Sequence, residues 1–134
     1  MAFRYPVRVY FSDTDAGGIV YHARYLDFAE HARTELLRTI ASEEAIQNRL
    51  LSDRIGFVVK ALSIEYHLPA YLDDLLEVET TIESSKRFSL TFLQQIYRGA
   101  ELITTLHIRV GCINIDTKTI QMIDPALADA MNAR

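Results

Sequence analysis

A chain of 134 residues with 49% hydrophobic and 24% charged side chains is long enough to bury a core without staples, and it reads as one domain, residues 1–134. Its formal net charge of -4 implies no broad basic surface, which argues against non-specific nucleic-acid binding, so a phosphate-bearing ligand would need a local basic patch. The single Cys112 cannot form an intrachain disulfide and no stretch approaches the apolar length of a bilayer span, so the cytoplasm is the expected compartment.

In chain order, Val7, Val9 and Phe11 alternate with Arg8, Tyr10 and Ser12, the period of a half-buried strand. The pattern breaks at Asp13-Thr14-Asp15-Ala16-Gly17-Gly18, an acidic turn bearing two glycines. A helix is expected from about His22 to Arg38. Tyr21, Tyr25, Phe28, Ala29, Ala32 and Leu36 recur along its apolar face, while Arg24, Asp27, Glu30, His31, Arg33 and Thr34 form a solvated face with Asp27 and His31 as an i,i+4 pair. A second helical piece is expected near Ser42 to Leu51, opened by a serine cap.

The period then changes. Gly56 to Tyr66 is continuously apolar-rich, and Leu75 to Glu83 alternates strictly, with Leu76, Val78, Thr80 and Ile82 set against Glu77, Glu79, Thr81 and Glu83. Ser84 to Arg87 is a turn; Phe88, Leu90 and Phe92 open another strand; Arg98 to Glu101 turns again. Leu102, Thr104, Leu106, Ile108, Val110 and Cys112 are expected on one face of the last strand, and Asp124-Pro125 caps a short helix to about Met131. No linker, repeat or low-complexity run divides the chain. Short connections make the late strands antiparallel neighbours and the early helix must cover their apolar face, an α+β arrangement.

The strand-to-helix junction is where chemistry is expected. Between Gly18 and His22 no Ser, Thr, Asp or Asn stands where a cap would satisfy the first free N–H groups of the helix. Gly17 and Gly18 leave the backbone open to a ligand, and aligned N–H groups with partial positive charge suit a polarised carbonyl oxygen. Asp15 would then stand beside the carbonyl carbon as base or nucleophile opposite an oxyanion hole, the arrangement for hydrolysing an activated acyl group. The same residues also make an ordinary turn in which carboxylates bond nearby N–H groups. Asp13 is read as the partner that orders the turn while Asp15 is presented to substrate, although on physics alone the two roles can be exchanged.

The run Asp13-Thr14-Asp15-Ala16-Gly17-Gly18-Ile19-Val20-Tyr21-His22, continuing to Glu35, resembles the signature of hotdog-fold thioesterases of the 4-hydroxybenzoyl-CoA thioesterase class. The nearer resemblance is to the acyl-CoA thioesterases associated with the Tol-Pal system of Gram-negative bacteria. It continues through Phe57-Val58-Val59-Lys60, Ile64-Glu65-Tyr66, Pro69-Ala70 and Leu72-Asp73-Asp74, and so covers most of the chain. It implies a hotdog fold, an antiparallel sheet wrapped around one long helix. It also implies hydrolysis of small or medium acyl-CoA substrates, or of acyl carrier protein thioesters, by a homodimer or homotetramer with sites at the protomer boundary. The family's catalytic carboxylate falls on Asp15, and its carbonyl-polarising backbone N–H falls near His22, with Gly17, Gly18 and Tyr21 around it.

Further candidates are weaker. Lys86 and Arg87, with Lys60 and Arg109, are candidates for the phosphates of coenzyme A, although turn solvation also explains the first two. The His22 ring is a candidate catalytic group whose simpler role is to orient the loop. Glu65 is a candidate second carboxylate, with a strand-end salt bridge as the commoner fate. The histidines have no metal-ligand spacing, so neither metal nor cofactor is expected, and Cys112 reads as a buried core thiol. Two other functions fit a hotdog fold: a dehydratase or hydratase, whose His-Phe-Pro-Gly type of motif is absent, and a non-catalytic protein binding acyl-CoA or acyl carrier protein.

Overall fold

The computed structural model describes residues 2–41 and 54–133. Its elements are β1 (Phe3–Arg8), α1 (Arg24–Ala41), β2 (Ile55–Tyr66), β3 (Leu75–Ser85), β4 (Ser89–Arg98), β5 (Glu101–Asn114) and α2 (Pro125–Asn132). The helix expected near Ser42 to Leu51 lies outside the described residues. The strands form one antiparallel sheet in the order β1-β3-β4-β5-β2, so β1 and β2 are its edges.

The apolar stripe of α1 lies against this sheet. Tyr25, Phe28, Ala29, Ala32, Leu36 and Ile40 are buried, at the three- and four-residue spacing that keeps side chains on one helical face. The small residues Ala29 and Ala32 let the helix approach closely, and Leu36 and Ile40 fill the space beyond. Burial of such a side chain contributes about 1.5–3 kcal/mol. The inward rows of the sheet are Leu76, Val78 and Thr80 on β3, Leu90, Phe92, Gln94 and Ile96 on β4, and Leu106, Ile108, Val110 and Cys112 on β5. At the far end α2 closes the core with Leu127, Ala128 and Met131, and the Asp124 side chain caps it by accepting the Ala126 N–H at 2.9 Å.

Several expectations shift for identifiable reasons. Phe11 does not continue the first strand's inward row: a 3-10 turn at Phe11–Asp13 throws it outward, 81% exposed. Tyr21 precedes the helix and is exposed. Leu102 faces away from the core beside Tyr97, because the register jumps by one residue at Ile103, a bulge that exchanges faces on either side of it. Phe88 sits in the β3–β4 turn under the Arg87 guanidinium, 5.7 Å from its ring centre. On α1, Asp27 pairs with Arg24 at 3.0 Å, and His31 lies 3.8 Å from Glu30.

Arg33 departs most from its expected solvated place. Its guanidinium donates to the side-chain oxygen of Gln94 at 2.9 Å, and burial lowers its pKa from the ordinary value. Gln94 is fully buried; its amide nitrogen donates to the Ala29 carbonyl at 2.9 Å and to the Thr80 hydroxyl at 3.0 Å. This network fixes the position of α1 along the sheet, because a helix slid by a residue would leave buried polar groups unpaired.

Candidate active site

The loop between β1 and α1 is built from its own polar groups. The Asp13 carboxylate accepts the Tyr10 N–H at 2.8 Å and lies 3.3 Å from Arg24, the first residue of the helix, which also donates to the Ser12 carbonyl at 2.9 Å. Asp15 turns the chain: its N–H donates to the Ile19 carbonyl, its carbonyl accepts the Gly18 N–H, and its Oδ1 accepts the Gly17 N–H at 2.8 Å. Gly18 stands at φ +80°, the left-handed region that favours glycine. The loop is anchored to the segment before β3, where the Val20 N–H donates to the Ala70 carbonyl at 2.8 Å and Val9 exchanges bonds with Asp73 and Asp74.

Asp15 therefore divides its carboxylate. Oδ1 orders the turn, while Oδ2 has no partner among the described residues, and the side chain is exposed at a cleft of about 350 Å³. The cleft is walled by Ile19, Val20, His22 and Tyr25 from the loop and helix, and by Tyr66, His67, Leu68 and Pro69 from the end of β2.

Backbone donors sort themselves at the same place. The N–H groups of Gly17, Gly18 and Tyr21 are all engaged: on Asp15 Oδ1, on the Asp15 carbonyl and on the Asp13 carbonyl. Of the residues expected to offer loop donors, these three thus have none to give. The next two, His22 and Ala23, have N–H groups without an acceptor among the described residues, at the positive end of α1's dipole. The His22 ring lies beside that of Tyr21, their centres 4.5 Å apart.

The opposite wall was not singled out from sequence. Tyr66, the last residue of β2, donates its hydroxyl to the His22 carbonyl at 2.9 Å and meets the Tyr25 ring edge-on at 5.8 Å. Burial raises the pKa of the Tyr25 phenol, so it stays neutral in the cleft wall. His67 Nε2 is 2.9 Å from the Thr105 hydroxyl. Arg98 braces the segment behind them, donating to the Pro69 carbonyl at 3.1 Å and to Asp74 at 2.8 Å. The available signal was position: a tyrosine ending an apolar strand just before His67 and Pro69.

The basic residues expected to meet coenzyme A do not join this cleft within the chain. Arg109 pairs opposite Ala61, five residues before Tyr66, which separates them by roughly 17 Å of strand. Lys60 sits at the β2 bulge with its stem over Gly111. Lys86 and Arg87 lie in the β3–β4 turn, and the ten residues of β4 from Ser89 to Arg98 place them roughly 30 Å from the Arg98 end. Glu65 points to the opposite face of the sheet from its neighbour Tyr66, because successive strand residues alternate, and it does not line the cleft. His107 pairs with Glu83 at 2.9 Å, away from Cys112, whose thiol is pushed up in pKa by burial. Among the described residues, no three His, Cys, Asp or Glu side chains stand together in a way that would hold a metal ion.

Residues 9–131 match the family model of the thioesterase-like superfamily. The chain belongs to that family. It is accordingly a hotdog-fold enzyme of the thioester hydrolase class. It is 46% identical to the acyl-CoA thioester hydrolase YbgC of Escherichia coli over 113 residues, 84% of this chain and 82% of that one. The acyl-CoA thioesterase YbgC of Haemophilus influenzae matches at the same identity and coverage. Among solved structures, that titled "Probable Thioesterase" from Bartonella henselae superposes with a TM-score of 0.77 at 31% identity, covering 92% of this chain and 98% of its own. No helix among the described residues is long and apolar enough to cross a membrane.

Proposed function

We propose that this thioesterase hydrolyses small or medium acyl-CoA thioesters to the free acid and coenzyme A, with Asp15 as base or nucleophile and the unbonded N–H groups at the start of α1 as the oxyanion hole. One observation carries the reading: the free Oδ2 of Asp15 and the open N–H of His22 belong to residues lining the same cleft. A thioester is already activated, so the protein has to supply a placed attacking group and stabilisation where negative charge develops. Oδ1, held by Gly17, fixes the carboxylate's direction; Oδ2 takes a proton from water or attacks the carbonyl carbon as the thiolate leaves. The His22 ring beside the cleft shields the nascent oxyanion and orients the loop.

The assembly is read as a homodimer, or a homotetramer built from two such pairs. β2 is an edge strand with apolar residues on both faces, and Val59, Leu62 and Tyr66, which point to the helix side of the sheet, are 50%, 44% and 49% exposed. A long apolar edge of this kind calls for cover, and a second copy joining along β2 supplies it. Light scattering on the intact chain and on Leu62→Asp tests this: the variant should lose mass per particle.

The function is tested by following thiol release from a panel of acyl-CoA substrates, and from acyl carrier protein thioesters, with the unmodified chain and Asp15→Asn. The variant should fold normally and lose turnover, and acid quenching of the unmodified enzyme during turnover shows whether an acylated Asp15 forms. Turnover by Asp15→Asn at the unmodified rate would remove the carboxylate's role, and binding without thiol release would leave a carrier or scaffold. A cytoplasmic setting, where acyl-CoA is made and consumed, accords with this chemistry.

A further inference from the structure

The segment between β2 and β3 serves the cleft twice. His67, Leu68 and Pro69 form one of its walls, and the next carbonyl, that of Ala70, accepts the Val20 N–H at 2.8 Å and so ties down the loop that carries Asp15. Further on, Asp73 and Asp74 exchange backbone bonds of 2.9 Å with Val9, at the other end of that loop. The segment is neither helix nor strand, and Asp73 stands at φ +71°, a left-handed conformation that disfavours a side chain. Such a path needs holding from outside. Arg98, the last residue of β4, does this: its Nη1 donates to the Pro69 carbonyl at 3.1 Å and to Asp74 Oδ2 at 2.8 Å, while its Nε reaches Glu101 at 3.1 Å. The same Asp74 oxygen accepts the Tyr71 N–H at 2.9 Å, closing the turn around Asp73. The Arg98 and Asp74 side chains are 26% and 22% exposed, so their attraction is screened less than that of a pair on open surface.

We propose that Arg98, paired with Asp74, is a positioning residue for hydrolysis: it sets how the Asp15 loop faces the far wall of the cleft. The connection runs through adjacent peptides. Arg98 pins the carbonyl of Pro69, and the carbonyl one residue later holds Val20. Val20 follows Ile19, whose own carbonyl accepts the Asp15 N–H at 3.0 Å. A guanidinium suits the task because its fixed fork can serve a carbonyl and two carboxylates at once. Arg98 does not line the cleft, so it acts through the segment rather than on substrate. The proposal deepens the hydrolytic reading of the cleft and rests on it.

The test begins with Arg98→Gln. Expected are a loss of roughly tenfold in kcat with KM changed by less than about threefold, the pattern of a misaligned attacking group. Arg98→Lys returns a cation to Asp74 and should regain part of that loss. Asp74→Asn removes the ion pair from the other side while keeping an oxygen for the Tyr71 N–H, and combined with Arg98→Gln it should lower kcat no further than the worse single variant. The direct readout is amide hydrogen exchange followed by NMR, which needs no turnover. In Arg98→Gln and in Asp74→Asn the Val20 N–H should exchange roughly tenfold faster, while the Leu106 and Ile108 amides inside the sheet keep their rates. A merely structural role would speed the sheet amides together with Val20 and leave the kcat of the folded enzyme unchanged. That result, an unchanged Val20 rate, or additive losses in the double variant would overturn the proposal. Full turnover by Asp15→Asn would instead remove the carboxylate's role while leaving the exchange comparison intact.

Discussion

The middle of α1 and its N-terminal end meet the sheet through polar groups handled in opposite ways. In the middle, the fully buried Gln94 bonds the Ala29 carbonyl, the Thr80 hydroxyl and the Arg33 guanidinium. At the end, loop bonds take up the N–H groups of Gly17, Gly18, Val20 and Tyr21, while those of His22 and Ala23 have no acceptor among the described residues, and a carboxylate with one free oxygen lines the cleft beside His22. Buried polar groups without partners are expensive, so the first arrangement stabilises the fold. Groups left open at a solvated cleft cost little and remain available to a ligand. Substitutions in the middle should therefore move stability, and substitutions at the end should move activity.

The largest expected effect is on activity. Asp15→Asn should lower kcat by about 10³-fold or more while the thermal midpoint stays where it was, because the asparagine oxygen still accepts the Gly17 N–H. Thiol-release kinetics and a melting curve on the same preparation check both halves. Loss of folding in this variant would break the contrast between the two regions. The converse is Gln94→Leu, which leaves the Arg33 guanidinium facing apolar surface without the amide oxygen it donates to. It should cost about 3 kcal/mol in denaturant unfolding, and the residual folded fraction should turn over at close to the normal rate.

How much of this was legible follows from the range of the forces involved. Periodicity is local, so α1's buried stripe and the alternation of Leu76, Val78 and Thr80 could be read directly, as could the Asp124-Pro125 start of α2. Gln94 falls in step with Leu90, Phe92 and Ile96, an inward-facing polar residue that could have been noticed, but its partners Ala29 and Arg33 are 65 and 61 positions away. Hydrophobic spacing puts Leu102 in the inward row, and the bulge at Ile103, which leaves no mark on that spacing, turns it outward. At the site, the Asp-x-Asp-x-Gly-Gly run announced a special loop. Which donors the loop uses internally, and that Tyr66 would arrive from the end of β2, depend on tertiary approach. In the sequence the basic residues Lys60, Lys86, Arg87 and Arg109 share only their charge, which says nothing of distance within the fold.

The two glycines of the loop sharpen the contrast at smaller amplitude, since each tests a different physical reason for having no side chain. An added Cβ at Gly17 would stand 3.1 Å from Asp15 Oδ1, so Gly17→Ala displaces the carboxylate by a few tenths of an ångström. A misaligned attacking group loses rate steeply, and kcat should fall by about tenfold with little change in stability. At Gly18 a Cβ meets nothing within 4 Å, but φ is +80°. Gly18→Ala should therefore cost about 1 kcal/mol of stability through backbone strain alone. Here the rate should fall less than in Gly17→Ala, because the Asp15 side chain keeps its bond to the Gly17 N–H. Measuring kcat and unfolding free energy for both variants separates the two reasons: if Gly18→Ala lost more rate than Gly17→Ala, the loop's backbone path rather than the carboxylate's clearance would be what the glycines protect.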